Sequence, residues 1–97
     1  PGESMPSYRT IMTVTTLAPG RAPEEVEAAA RSVTRLESWD IAIASGQPRV
    51  TARFTAIDDA EAAATHAAIT DAVRAVAEVP RARLASVVRG RSHYLTP

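Results

Sequence analysis

The chain has 97 residues, no cysteine, and eleven basic side chains against eleven acidic ones, giving a formal net charge of zero at pH 7. That length fits one domain with no room for a second, and the missing thiols exclude disulfides, thiolate nucleophiles and thiolate metal ligands. Balanced charge gives no long-range field toward a phosphate backbone, so bulk nucleic-acid binding is disfavoured.

No stretch approaches the roughly twenty apolar residues of a membrane-spanning helix, and no basic segment followed by an apolar one marks a secretion signal. The expectation is a soluble, cytoplasmic protein that engages neither membrane nor nucleic acid. Residues 1–4, ahead of Met5, read as a vector remnant, and residues 5–97 as one domain. All basic residues are Arg, Lys and Asn are absent, and Ala is abundant, which fits the coding bias of a GC-rich bacterium.

From Tyr8 to Leu17 the chain is rich in Thr, Ile, Met and Val, which suit a pleated surface, and Ala18-Pro19-Gly20 ends this first strand. Pro23 opens a helix with Glu24, Glu25 and Glu27 in its first turns and Arg31 and Arg35 toward its end, as the helix dipole favours. Its apolar stripe is Val26, Ala29, Ala30, Val33 and Leu36. From Trp39 the period shortens to two, with Ile41 and Ile43 alternating against Asp40, Ala42 and Ala44. Ser45-Gly46-Gln47-Pro48 then predicts a type II′ turn with Gly46 at its first central position. A third strand, Arg49 to Ile57, sets Val50, Ala52, Phe54 and Ala56 against Arg49, Thr51, Arg53 and Thr55.

Asp58 suits the cap of a second helix, with Asp59 and Glu61 behind it. The stripe of that helix is Ala62, His66, Ile69, Val73 and Val76, and Pro80 terminates it. The last strand begins near Arg83, carries Leu84, Val87 and Val88, and meets Gly90, beyond which Arg91 to Leu95 remains extended in character.

The order strand, helix, two strands, helix, strand, with right-handed crossovers, predicts an α+β, ferredoxin-like βαββαβ domain. Its four-stranded antiparallel sheet has order 4-1-3-2 and carries both helices on one face. Met12, Val14, Ile41, Ile43, Val50, Phe54, Leu84 and Val88 are expected to face the helices. The opposite face would show Ile11, Thr13, Thr15, Ala42, Ala44, Thr51, Thr55, Ala85 and Val87, with Arg49, Arg53, Arg89 and Arg91 at its margins. So little charge at the centre of an open face, over an Ala-rich core, predicts a homodimer or higher oligomer that covers this face or pairs the last strands.

Chemistry is thinly signalled. His66 and His93 are the only imidazoles; each is a candidate general base, set against an ordinary role as a bonded core histidine and an exposed one. No metal site or cofactor motif is present, and no glycine-rich phosphate loop or nucleophile elbow. Trp39 suits a core edge better than ligand stacking, and the absence of aromatics from the exposed positions of strands one and three argues against RNA binding. Arg74, Arg81, Arg83, Arg89 and Arg91 cluster late in the chain, as a solvated edge or as a site for a carboxylate or phosphate. The expected function is a non-enzymatic homo-oligomeric domain acting by protein association or by holding a small apolar or anionic ligand between subunits. Its candidate surface is Ile11, Thr13, Thr15, Trp39, Arg53, Val87, Arg89, Arg91 and Tyr94. The alternative is a cofactor-independent dimeric α+β barrel enzyme, an oxygenase or isomerase, in which Tyr8, Trp39, His66 and His93 line one apolar pocket. A third possibility is an adaptor that docks an unpaired Arg91–Leu95 edge onto another protein.

Overall fold

The computed structural model describes residues 5–96, so the vector remnant expected at residues 1–4 lies outside the described residues. In chain order the elements are β1 (Ser7–Thr13), β2 (Thr16–Leu17), α1 (Glu24–Arg31), β3 (Ser38–Ala44), β4 (Gln47–Thr55), α2 (Asp59–Arg74), β5 (Ala77–Glu78), β6 (Arg81–Val88) and β7 (Arg91–Tyr94). One antiparallel sheet has the order β3-β4-β1-β6-β7, and β2 pairs separately with β5.

The expected four-stranded ferredoxin-like layer of order 4-1-3-2 is therefore corrected: the sheet has five strands, because the chain reverses after β6 and adds β7 to the edge. Arg89 and Gly90 both take positive φ, 53° and 78°, the backbone of a two-residue type I′ turn, and Val88 then pairs with Arg91. The turn between β3 and β4 is built alike, with Ser45 at 53° and Gly46 at 78°. Gly46 is thus the second central residue of a type I′ turn and not the first of a type II′ turn. The segment Arg91–Leu95 is not the unpaired extension that an adaptor would show: β7 pairs with β6 as the last strand of the sheet, and the Leu95 N–H donates to the Leu84 carbonyl at 2.8 Å.

Alternation sets what is buried. Along β1, Tyr8, Thr10 and Met12 turn inward, and β4 supplies Val50, Ala52 and Phe54 beside them. Val26 and Ala30 of α1 and Ala62, Ile69 and Val73 of α2 close the layer, with Leu84 of β6 completing the core. Both helices are shorter than their apolar stripes suggest. Val33 and Leu36 lie beyond α1, and Val76 lies beyond α2, where Val76 O accepts from the Ala18 N–H at 2.8 Å. The eight-residue α1 leaves the outer part of β3 uncovered. Ile41 and Ile43, expected beneath the helices, are 63% and 70% exposed, and Val88 is also exposed.

The start of α2 is fixed by reciprocal caps. The Asp58 carboxylate accepts from the Glu61 N–H at 2.8 Å, and Glu61 reaches back to the Ile57 N–H at 2.9 Å. Asp58→Ala removes one of these caps at an exposed position, so we expect a loss of about 1 kcal/mol in urea unfolding. An unchanged midpoint would mean that Glu61 alone secures the helix start.

Candidate functional site

The inward pleat of the sheet carries the core, and the outward pleat carries charge. Register places Arg9 of β1 directly beside Arg53 of β4, Ile11 between Thr51 and Arg83, and Thr13 between Arg49 and Arg81. Ala85 and Val87 of β6 and Ser92 and Tyr94 of β7 complete the same face. The helix-free face thus holds Arg9, Arg49, Arg53, Arg81 and Arg83. It is more cationic than the face expected from sequence: Arg9 and Arg83 share the pleat of Ile11 and Ala85 by alternation but are missing from that expectation, and Arg81 precedes the expected start of the last strand.

Several of these arginines are held in place. Arg9 donates from Nη1 to Ser92 Oγ at 2.7 Å, tying β1 to β7 across β6. The Arg53 Nε lies 3.3 Å from the Glu37 carboxylate, and Glu37 also accepts from Ser7 Oγ at 3.0 Å. The Arg83 guanidinium stacks over the Tyr94 ring at 3.6 Å from its centroid, a cation–π contact, while its Nε is buried with no hydrogen-bond partner. A cavity of about 120 Å³ lies between these groups, lined by Ile11, Thr13, Arg49, Arg81, Arg83 and Tyr94.

A second, larger cleft of about 290 Å³ lies on the helix side, between the start of α1 and the outer strands. Leu17, Pro23, Val26, Trp39, Ile41 and Val50 give it an apolar wall, with Val14 and Pro48 at its floor and Thr15 and Thr16 beside them. Trp39 enters it because β3 turns its odd-numbered side chains to this face.

The candidate residues from the sequence therefore divide. Ile11, Thr13, Arg53, Val87 and Tyr94 share the open face. Trp39 and Thr15 belong to the helix-side cleft, and the Thr15 hydroxyl lies 3.4 Å from the Glu78 carboxylate. Arg89 is in the last turn, and Arg91 pairs with Val88 and so points to the helix side. The late arginine cluster also separates: Arg74 donates from Nε and Nη2 to the Val79 carbonyl, at 3.2 and 2.9 Å, and clips the end of α2 to the following loop.

His66 is partly buried and its Nδ1 lies 3.0 Å from Thr10 Oγ1, a bonded histidine over the sheet. Burial, and secondarily the charge of Arg74, hold its pKa below the ordinary imidazole value. Tyr8 donates its phenol to Asp59 Oδ1 at 2.7 Å. His93 is exposed on β7. The apolar cleft takes Trp39 and none of Tyr8, His66 or His93, so the four side chains that an α+β barrel enzyme would bring together are not gathered there. Among the described residues no three His, Asp or Glu side chains come together in a group that could hold a metal ion, and no helix is long and apolar enough to cross a membrane.

No protein-family model matches this chain, and neither a curated protein nor a solved structure matches it.

Proposed function

We propose that the protein is a non-enzymatic, cytoplasmic homo-oligomeric domain that acts by association, with β3 as the seam between copies. The observation that carries this reading is the edge strand itself: seven residues with an unpaired outer side, on which Ile41 and Ile43 are 63% and 70% exposed. A long edge with apolar side chains is a template for pairing. The opposite edge, β7, is four residues long and carries Arg91 and His93, features that blunt such pairing.

Two copies of β3 can meet antiparallel about a two-fold axis through Ile41, the isologous arrangement of a dimer. Ile41 then faces its own symmetry mate and Trp39 faces Ile43 of the second copy. On the other pleat Asp40 meets Ala42, so like charges are kept apart. Stacking open face on open face, one of the two arrangements expected from sequence, would instead press arginines together. A small apolar ligand in the 290 Å³ cleft would sit beside this seam, since Ile41 and Trp39 belong to both.

Sedimentation or light scattering should return about twice the 10.3 kDa chain mass at micromolar concentration. Ile41→Glu sets two carboxylates against each other at the axis, and we expect it to run as a folded monomer with unchanged helical circular dichroism. A wild-type monomer at tens of micromolar would overturn the proposal, as would a dimer unaffected by Ile41→Glu together with Ile43→Lys.

A further inference from the structure

Three arginines converge on the small cavity of the open face although the chain as a whole is neutral. Arg49 and Arg81 flank Thr13 in one row across β4, β1 and β6, and Arg83 stands in the next row beside Ile11. Adjacent strands are about 4.8 Å apart, so the Arg49 and Arg81 backbones are about 10 Å from each other, within reach of a shared guest for side chains this long. No carboxylate lines the cavity, and among the described residues none of Arg49, Arg81 and Arg83 forms an ion pair with Asp or Glu.

Like charges held round a concavity repel unless an anion lies among them. Two further details select the kind of anion. The ring of Tyr94 holds the Arg83 guanidinium plane in a fixed pose beside the cavity, so its charge is positioned before any guest arrives. The Thr13 side chain adds a hydroxyl that both donates and accepts, between the two flanking arginines. A volume of about 120 Å³ admits a single oxyanion group, not a base or sugar beside it.

We propose that Arg49, Arg81, Arg83 and Thr13 form a binding site for a phosphate group, presented as the free ion or as the terminal phosphate of a small molecule. A phosphate carries between one and two negative charges near pH 7, with oxygens to meet several guanidinium groups at once. A single carboxylate brings one charge and two oxygens, too few for three arginines. The Ile11 and Tyr94 side chains form the apolar part of the rim.

The site spans β4, β1, β6 and β7, one strand in from the β3 edge, and takes none of the side chains that meet at the seam. Backbone-amide NMR titration with inorganic phosphate, at constant ionic strength set with chloride, reads it directly. We expect saturable shifts confined to Thr13, Arg49, Arg81, Arg83 and Tyr94, with half-saturation at or below about 1 mM, near −4 kcal/mol. Glycerol phosphate should give the same shifts if the terminal group is what binds, and acetate should bind at least about tenfold more weakly. Arg49→Gln and Arg81→Gln should each weaken phosphate binding about tenfold, while Arg53→Gln, on the same face but ion-paired with Glu37, should leave it unchanged. Arg83→Gln should abolish it; since that change also removes a cation–π contact, Arg49→Gln and Arg81→Gln decide the matter. Shifts that do not saturate, that chloride reproduces, or that Arg53→Gln weakens as much as Arg49→Gln would overturn the site. Ile41→Glu should bind phosphate like the wild type, so loss of the seam and loss of the site are separate results.

Discussion

Phe54→Ala should remove a large share of the stability of this domain. The ring is fully buried, the largest of the fully buried side chains, and it stacks on Tyr8 across the β1–β4 ladder with centroids 6.0 Å apart and planes inclined at 23°. Much of the core around it is alanine: Ala30, Ala52, Ala56, Ala62, Ala77 and Ala85 are all buried, and each contributes little area. Truncating a buried Phe typically costs about 3 to 5 kcal/mol. A chain of 97 residues has about 5 to 15 kcal/mol in all. Urea unfolding should therefore show Phe54→Ala at the edge of folding at room temperature. Ile43→Ala, at a position 70% exposed, should stay within about 0.5 kcal/mol when measured on the monomeric Ile41→Glu background. A loss below about 1 kcal/mol for Phe54→Ala would mean that the core repacks around the gap.

The inward pleat was legible because burial on one face forces strict alternation, and Val50, Ala52 and Phe54 display it without interruption. The Asp58 cap of α2 was legible from a short acceptor placed just before an apolar helical stripe, whereas Glu61, read only as an acid suited to the helix dipole, also accepts from the Ile57 N–H. The fifth strand was not. Its turn is Arg89-Gly90, and arginine at positive φ carries none of the signal that Asn or Asp would bring to the same place. Gly90 therefore reads as an ending where it is the second half of a reversal. Missing β7 had consequences for the site, because Tyr94 and Ser92 are what hold Arg83 and Arg9 on the open face. The exposure of Ile41 and Ile43 escaped for another reason. Alternation tells which side of a sheet a residue takes, but not whether a helix packs down on it, and the start of α1, at Pro23 and Val26, stands across an open cleft from Ile41.

Whether a surface associates or binds follows from how its charge is arranged, and here the two sides of the sheet diverge. The outward pleat gathers cations with too few carboxylates to neutralise them, which repels a second copy of itself and attracts a small anion. The β3 edge gathers apolar side chains beside unpaired backbone, which favours a second copy. Dimerisation through β3 would extend the sheet and leave the arginine-lined cavities of both copies open on the same continuous face.

Alkaline pH should weaken the protein through a single side chain. Tyr8 has its pKa pushed up to about 12, first by burial, then by its hydrogen bond to Asp59 and by the negative charges of Asp59 and Asp58. An unfolded phenol titrates near pH 10. The unfolded chain thus gives up this proton first, and the stabilisation is complete below about pH 10 and is lost as pH rises through about 12. The pKa difference sets a ceiling of about 2.7 kcal/mol, and because the hydroxyl emerges beside the exposed Asp59, solvent screening reduces this to on the order of 1 to 2 kcal/mol. The sequence makes the measurement unusually clean: it contains neither Lys nor Cys, and Tyr94 is the only other tyrosine. Tyr8→Phe should fall slightly in stability at pH 7, by about 0.5 to 1.5 kcal/mol for the lost hydrogen bond. Between pH 10 and 12 its unfolding free energy should then decline less steeply than that of the wild type, with tyrosinate absorbance reporting Tyr94 alone. Parallel declines for the two proteins across that range would show that the Tyr8 phenol is not what fails in alkali, and would return the Tyr8–Asp59 contact to the rank of an ordinary surface hydrogen bond.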